Sequence, residues 1–184
     1  MELIDKAIAN KISFDWVGGD GLYGHNYGLG KELDERNLSF LLDVHKDQHI
    51  YEEVPEISVA AKKQGRGRAP TRKQSSATSI RVDKYAGSLG TGDWETFRIR
   101  KTTKGWLRAS MHFKEVWVWD GKEANARKRI LIIRRTLDRR NKVTDTKYSL
   151  SNDDSLVDSQ KEDLAFRQAQ RYWVRATVSK RYSF

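Results

Sequence analysis

A glycine-rich segment around a single aspartate, Asp20, holds the residues of this chain whose types and spacing could do chemistry. Residues 14–24 are typical of a short buried strand that continues into a glycine-rich turn, and Asp20 stands at the carboxyl end of that strand. In open α/β sheets, ligands and reacting groups collect at this edge. A carboxylate there could hold a hard divalent cation such as Mg²⁺, which prefers oxygen ligands. The alternative is structural, because an aspartate in a turn often only caps the next helix.

The composition limits what such a site could serve. The chain has 184 residues, which suits one domain, and its net charge of +10 favours a polyanionic partner, most commonly nucleic acid. It contains no cysteine, which excludes disulfides and thiolate metal sites. No apolar run approaches the roughly 18 residues of a membrane span, and no signal peptide is present, so we predict a soluble, cytoplasmic protein.

The first 45 residues predict the elements that position Asp20. An amphipathic helix over residues 2–11 precedes the strand at 13–19, a short helix follows at 28–36, and a second apolar strand spans 39–44. Helices and strands that alternate in this way are typical of an α/β fold with a mostly parallel sheet. We therefore expect Asp20 to lie at the carboxyl edge of such a sheet.

From Trp94 to Leu150 the pattern changes to alternating apolar and polar residues, which predicts antiparallel strands joined by tight turns. The strands expected in this part cover residues 94–100, 107–113, 116–119, 129–134 and 147–150. A last helix should then run from about residue 152 to 179. Acidic residues cluster early in it and basic residues late, an order that suits the helix dipole.

Residues 59–80 are rich in basic residues, glycine, glutamine and serine, a composition that predicts a flexible loop. We expect its cations to contact DNA phosphates loosely rather than to read bases. The loop residues predicted to bind DNA are Lys62, Lys63, Arg66, Arg68, Arg72 and Lys73.

Other chemistry finds little support in the sequence. His45 and His49 have the i, i+4 spacing of a helical metal pair, but they fall at a strand end, where that spacing does not converge. We therefore expect ordinary surface histidines. The sequence has no Walker loop, no nucleophile elbow and no GxGxxG motif, which argues against nucleotide binding and a hydrolase triad.

Three segments together carry a resemblance. Asp20–Gly24 fits an Asp-x-x-Tyr-Gly turn, Lys147–Asn152 fits a segment that closes a β insertion, and Gln170–Val174 fits a helix motif. The chain resembles the DDE transposases of bacterial insertion sequences, in the group whose ribonuclease-H-like core is interrupted by a β-rich insertion. The resemblance implies an α/β fold with an incomplete ribonuclease-H-like core and an inserted antiparallel β-rich region. The implied divisions are a partial core (1–58), the flexible basic loop (59–80), the β-rich insertion (81–152) and the C-terminal helix of the core (153–184).

The resemblance also implies a mechanism, in which three carboxylates hold two Mg²⁺ ions that cleave and join DNA strands at transposon ends. Asp20 would be the second of these carboxylates, and so both a catalytic residue and a metal ligand. The first belongs on an earlier strand that the sequence does not contain, and Arg175 stands where the third is expected. Because arginine cannot ligate a cation, we predict that this chain does not cut DNA.

The partner implied by the resemblance is DNA at the transposon ends, and a homodimer is left open. Arg171 would contact a phosphate, and Trp94 or Trp119 would stack on a base. Two functions follow: a transposase fragment whose family reaction is Mg²⁺-dependent phosphoryl transfer, or a basic DNA-binding remnant without catalysis. Without the first strands of the core, we also expect the strands at 14–19 and 39–44 to expose a sheet edge.

Overall fold

The fold was derived from a computed structural model, which describes residues 2–24, 26–61, 68–103, 105–153 and 158–169. This part of the chain is mixed α/β. Its α-helices are α1 (Glu2–Ala9), α2 (Gly21–Gly24), α3 (Tyr27–Glu35), α4 (Val82–Ser88) and α5 (Asp158–Ala169). Its strands are β1 (Val17–Gly19), β2 (Phe40–Val44), β3 (His49–Ile50), β4 (Ile57–Val59), β5 (Lys73–Ser75), β6 (Ile80–Arg81), β7 (Glu95–Thr102), β8 (Gly105–Val118), β9 (Arg127–Leu137) and β10 (Val143–Ser151).

One six-stranded sheet, in the order β1-β2-β10-β9-β8-β7, organises the described residues. Strands β1 and β2 are parallel, with Val17 opposite Phe40, and every other neighbouring pair is antiparallel. The strands that the sequence assigned to an insertion therefore extend the same sheet that carries Asp20, since β10 pairs directly with β2. Two short ribbons, β3–β6 and β4–β5, stand outside this sheet.

Two expectations about the strands are wrong. The strands expected at 107–113 and 116–119 form one long strand, β8, whose charged residue Glu115 is accommodated by an ion pair with Lys128 on β9. The expectation of an exposed sheet edge is wrong for β2, which lies between β1 and β10, although β1 is an edge strand among the described strands. Its apolar run, Phe40–Leu42, is buried on both faces, as a central strand requires.

Helices pack against both faces of the sheet, and side chains alternate between the two faces along each strand. On one face, here called the α4 face, Leu131 and Ile133 pack with Val82 and Tyr85 of α4. Helix α3 covers the same face further along, where Leu33 meets Phe40 and Leu42. On the other face, the α5 face, Ile130 and Ile132 pack with Leu164 and Ala165 of α5. Strand β9 is thus the centre of both cores.

The last helix is described over α5 only, so the predicted continuation to residue 179 lies outside the described residues. No helix in the described ranges is long and apolar enough to cross a membrane.

Candidate catalytic edge

Asp20 lies where β1 ends and α2 begins, as the sequence predicts. Its Oδ1 accepts a hydrogen bond from the Leu22 backbone N–H at 3.1 Å, and its carbonyl oxygen accepts from Tyr23 and Gly24. The side chain therefore caps the short helix, which was the structural alternative. Capping uses one carboxylate oxygen, and the residue is exposed. The second oxygen can still meet a ligand from solvent.

A second aspartate, Asp43, lies beside Asp20. Gly19 is opposite Leu42 in the parallel β1–β2 pair, so the next residue of each strand is an aspartate at the same edge. The turn is packed closely against β2 here. A Cβ on Gly24 would lie 1.8 Å from the Asp43 carbonyl oxygen, so the glycine of the Asp-x-x-Tyr-Gly turn is required by contact with the neighbouring strand.

Asp43 is half-buried and belongs to a chain of polar side chains that leads to α5. Ser149 on β10 donates its hydroxyl to Asp43 Oδ1 and accepts a hydrogen bond from Gln168 Nε2 at 2.7 Å. The backbone carbonyl oxygen of Gln168 accepts a hydrogen bond from the buried Arg134 side chain at 2.8 Å. These bonds tie the end of α5 to the edge that carries Asp20.

Burial raises the pKa of the Asp43 carboxyl above its usual range, and the negative charge of Asp20 adds to the rise. The hydrogen bond from Ser149 and the charges of Lys147 and Arg134 oppose it. Burial has the largest effect, so Asp43 holds its proton more tightly in the folded chain than in the unfolded one.

The described residues do not form a metal site. Within the described ranges, no group of three or more histidine, cysteine, aspartate or glutamate side chains could hold an ion. Asp20 is exposed, Asp43 is bound by Ser149, and the position of Arg175 lies outside the described residues. The described residues therefore do not supply the several converging carboxylates that the two Mg²⁺ ions implied by the resemblance would require.

The two histidines have different neighbours. His45 follows β2 and lies beside Gly21, whose Cβ would be 3.6 Å from the imidazole Nε2. His49 on β3 instead has its Nδ1 2.9 Å from the Ser79 hydroxyl.

Half of the loop residues predicted to bind DNA can be placed. Arg68 and Arg72 are exposed. Lys73 lies in β5, and its ammonium group donates a hydrogen bond to the Lys122 backbone carbonyl at 2.9 Å. The loop therefore connects two paired strands, β4 and β5. Lys62, Lys63, Arg66 and Arg171 lie outside the described residues. DNA binding by all of these residues stays a prediction.

Both tryptophans predicted to stack on a base make contacts inside the chain. Trp94 is half-buried, and the Arg135 guanidinium lies over its ring at 3.7 Å from the centroid. Trp119 is also half-buried and donates its indole N–H to the Glu123 carbonyl at 3.0 Å, which fixes the turn after β8. A base would have to displace Arg135 to use that face of Trp94.

Comparison with known proteins matched the chain to a family and to no single protein. Neither the curated proteins nor the solved structures contain a match to the chain. The family described as "DDE superfamily endonuclease" matches residues 1–106, a range that includes the Asp20 turn and Asp43. This match confirms the resemblance to DDE-type transposases; of the three segments that carry the resemblance, it covers Asp20–Gly24. The chain belongs to the DDE superfamily endonuclease family and is a DDE-type, transposase-like protein.

Proposed function

We propose that this chain derives from a DNA transposase and that it binds DNA without cutting it. The family reaction would be the metal-dependent cleavage and joining of DNA strands at transposon ends, on a ribonuclease-H-like core. Membership of the DDE superfamily supports the reaction class, and the net charge of +10 supports DNA as the partner. Asp20 would occupy the position of the second catalytic carboxylate.

The proposed loss of cleavage is argued from the residues around Asp20. Two-metal phosphoryl transfer needs several carboxylates that converge so that two dications can sit close together. Among the described residues, the neighbour of Asp20 is Asp43, whose carboxylate already accepts from Ser149. Arg175 stands where the resemblance places the third carboxylate, and its positive charge would repel a cation.

A nicking assay tests the proposal. Supercoiled plasmid is incubated with Mg²⁺ and the wild-type chain, Asp20→Ala or Asp15→Ala, and gel shifts on the same plasmid are measured across a salt series. Asp15 is an exposed aspartate of the segment before β1, so its variant is a matched control for the loss of one negative charge. We expect no nicking by any of the three proteins and DNA binding that weakens steeply with salt.

Two results would contradict the proposal in different ways. Nicking by the wild type and Asp15→Ala that disappears in Asp20→Ala would mean that a working metal site forms around Asp20. Absence of a gel shift at low salt would mean that DNA is not the partner.

A further inference from the structure

Strands β7 and β8 carry a basic patch around one exposed tryptophan, on the α4 face of the sheet. Arg98 is directly opposite Arg108, and Lys101 is directly opposite Trp106. We call these four residues the Trp106 patch. A register shift between Arg98 and Arg100 inserts one extra residue, Ile99, into β7. Because of this bulge, Lys101 lies on the same face as Arg98, although strict alternation would put them on opposite faces.

The patch faces solvent without compensating charge. Trp106 is 53% exposed, Arg98 and Lys101 are exposed, and Arg108 is half-buried. Within the described ranges, no carboxylate forms an ion pair with any of the three cations. Like charges directly opposite each other destabilise a strand pair, so the Arg98–Arg108 pair gains from a bound anion.

Trp106 differs from the other tryptophans that the structure describes, since those are at least half-buried. Arg135, which covers the ring of Trp94, is opposite Ser110 on β8. On this face of β8, Arg108 is the next residue after Ser110 toward the start of the strand, so the Trp106 patch begins next to the Trp94–Arg135 stack.

The patch lies at the same end of the sheet as Asp20. Tyr148 of β10 is opposite Val44, the last residue of β2. From Tyr148 back to its first residue, Val143, strand β10 extends past the end of β2. Because β7–β10 are antiparallel neighbours, the end of β7 and the start of β8 also project in this direction. Across the sheet, β8 lies four strand spacings from β1, or about 19 Å, and the paired registers place Trp106 further toward this end of the sheet than Asp20.

The geometry points to the Trp106 patch as a binding surface for a DNA strand with unpaired bases. This inference rests on the proposed DNA-binding function and assigns that strand a place. An indole ring binds by stacking on the face of a base, and a duplex offers such faces only where its bases are unpaired. The cations on either side of Trp106 would follow one phosphate backbone, which needs charge but no base reading.

Fluorescence anisotropy with two labelled probes, a single-stranded thymidine oligonucleotide and a duplex of the same length, tests this assignment. Trp106→Ala should weaken single-strand binding about tenfold, within the range measured for base–aromatic stacking, and change duplex binding less than about twofold. Trp106→Phe keeps an aromatic ring and should recover most of the affinity. Circular dichroism checks that each variant is folded, which the exposure of Trp106 favours.

Two double variants that each remove two positive charges test whether the cations of the patch bind DNA. Arg98→Gln/Arg108→Gln should weaken single-strand binding and flatten its salt dependence more than Lys11→Gln/Lys122→Gln does. The control pair also removes two exposed cations, outside the patch.

The results distinguish the assignment of the Trp106 patch from the proposed DNA-binding function. Unchanged single-strand binding by Trp106→Ala, or an equal loss on both probes, would overturn the assignment of the patch. Wild-type protein that binds the duplex but not the single strand would overturn it as well. Wild-type protein that binds neither probe would instead overturn the proposed DNA-binding function, and the assignment with it.

Discussion

Removal of the Asp34 carboxylate should destabilise the fold strongly, because this one side chain joins α3 to two strands of the sheet. Asp34 accepts from Arg127 at 3.1 Å and from Arg129, both on β9. Its other oxygen accepts from Asn152 at 3.1 Å, just after β10. Asn152 in turn accepts from the Phe40 backbone N–H at 2.9 Å, which secures the start of β2.

The magnitude follows from what each partner would lose. The Arg129 side chain is 11% exposed, and burial lowers its pKa while Asp34 counteracts the shift. Arginine stays charged, so Asp34→Ala would leave a buried cation without its carboxylate, which typically costs about 3–5 kcal/mol. Asp34 itself is 20% exposed, and Arg127 keeps two hydrogen bonds to Glu123. We therefore expect a loss of about 2–4 kcal/mol in the free energy of unfolding.

Urea-induced unfolding at neutral pH, followed by circular dichroism, measures this loss. Asp5→Ala is the control, because it breaks an ion pair with Arg36 at 3.1 Å whose carboxylate is 50% exposed. Such surface pairs contribute about 0–1 kcal/mol. Arg129→Met, alone and combined with Asp34→Ala, completes a double-mutant cycle that should give a coupling energy above about 1 kcal/mol. A loss for Asp34→Ala no larger than that of Asp5→Ala would refute the reasoning.

Two further predictions concern the Asp20 edge. Gly24→Ala should lower the free energy of unfolding by about 2–3 kcal/mol, because the new Cβ would lie 1.8 Å from the Asp43 carbonyl oxygen. Gly87→Ala, in α4 with nothing within 4 Å of the new Cβ, should instead stabilise by about 0.5–1 kcal/mol; equal effects in urea unfolding would count against the close packing of the turn. Since the pKa of Asp43 is raised, its contribution to stability is fully present below its unfolded pKa and is lost as the pH rises through its folded pKa. Asp43→Asn should therefore be at least as stable as wild type at pH ~7. Urea unfolding repeated at lower pH should show a smaller difference in the free energy of unfolding between the two proteins, and a variant clearly less stable at neutral pH would contradict this.

Elements with local signals could be predicted closely from the sequence. The helix expected at 28–36 is α3 at Tyr27–Glu35, and the strand expected at 39–44 is β2 at Phe40–Val44. Apolar spacing and the glycine turn are properties of neighbouring residues, so no distant contact is needed to find these elements. The position of Asp20 at a strand end followed for the same reason.

Strand partners could not be predicted in this way. The residue patterns of β7–β10 predict strands, but they do not say which strand lies next to which. The pairing of β10 with β2 joins Ser149 to Asp43, which are 106 residues apart in the chain. A separate insertion and an extension of the first sheet therefore have the same sequence pattern.

Asp43 was missed for a related reason, although a signal was present. It is the one charged residue in the strand Phe40–Val44, and a carboxylate inside an otherwise apolar strand needs a hydrogen-bond partner. That partner, Ser149, comes from β10, and Gln168 of α5 completes the chain of bonds. The sequence indicated that Asp43 required an explanation, but the explanation lies in residues that only the fold brings together.

The Trp106 patch shows how a single irregular residue changes which cation lies opposite an exposed aromatic ring. Without the bulge at Ile99, strict alternation would place Lys101 on the α5 face and Arg100 opposite Trp106. The bulge places Ile99 with the core on the α5 face and returns Lys101 to the side of Arg98 and Arg108. The register of β7 therefore decides which cation is opposite Trp106: Lys101 with the bulge, and Arg100 without it.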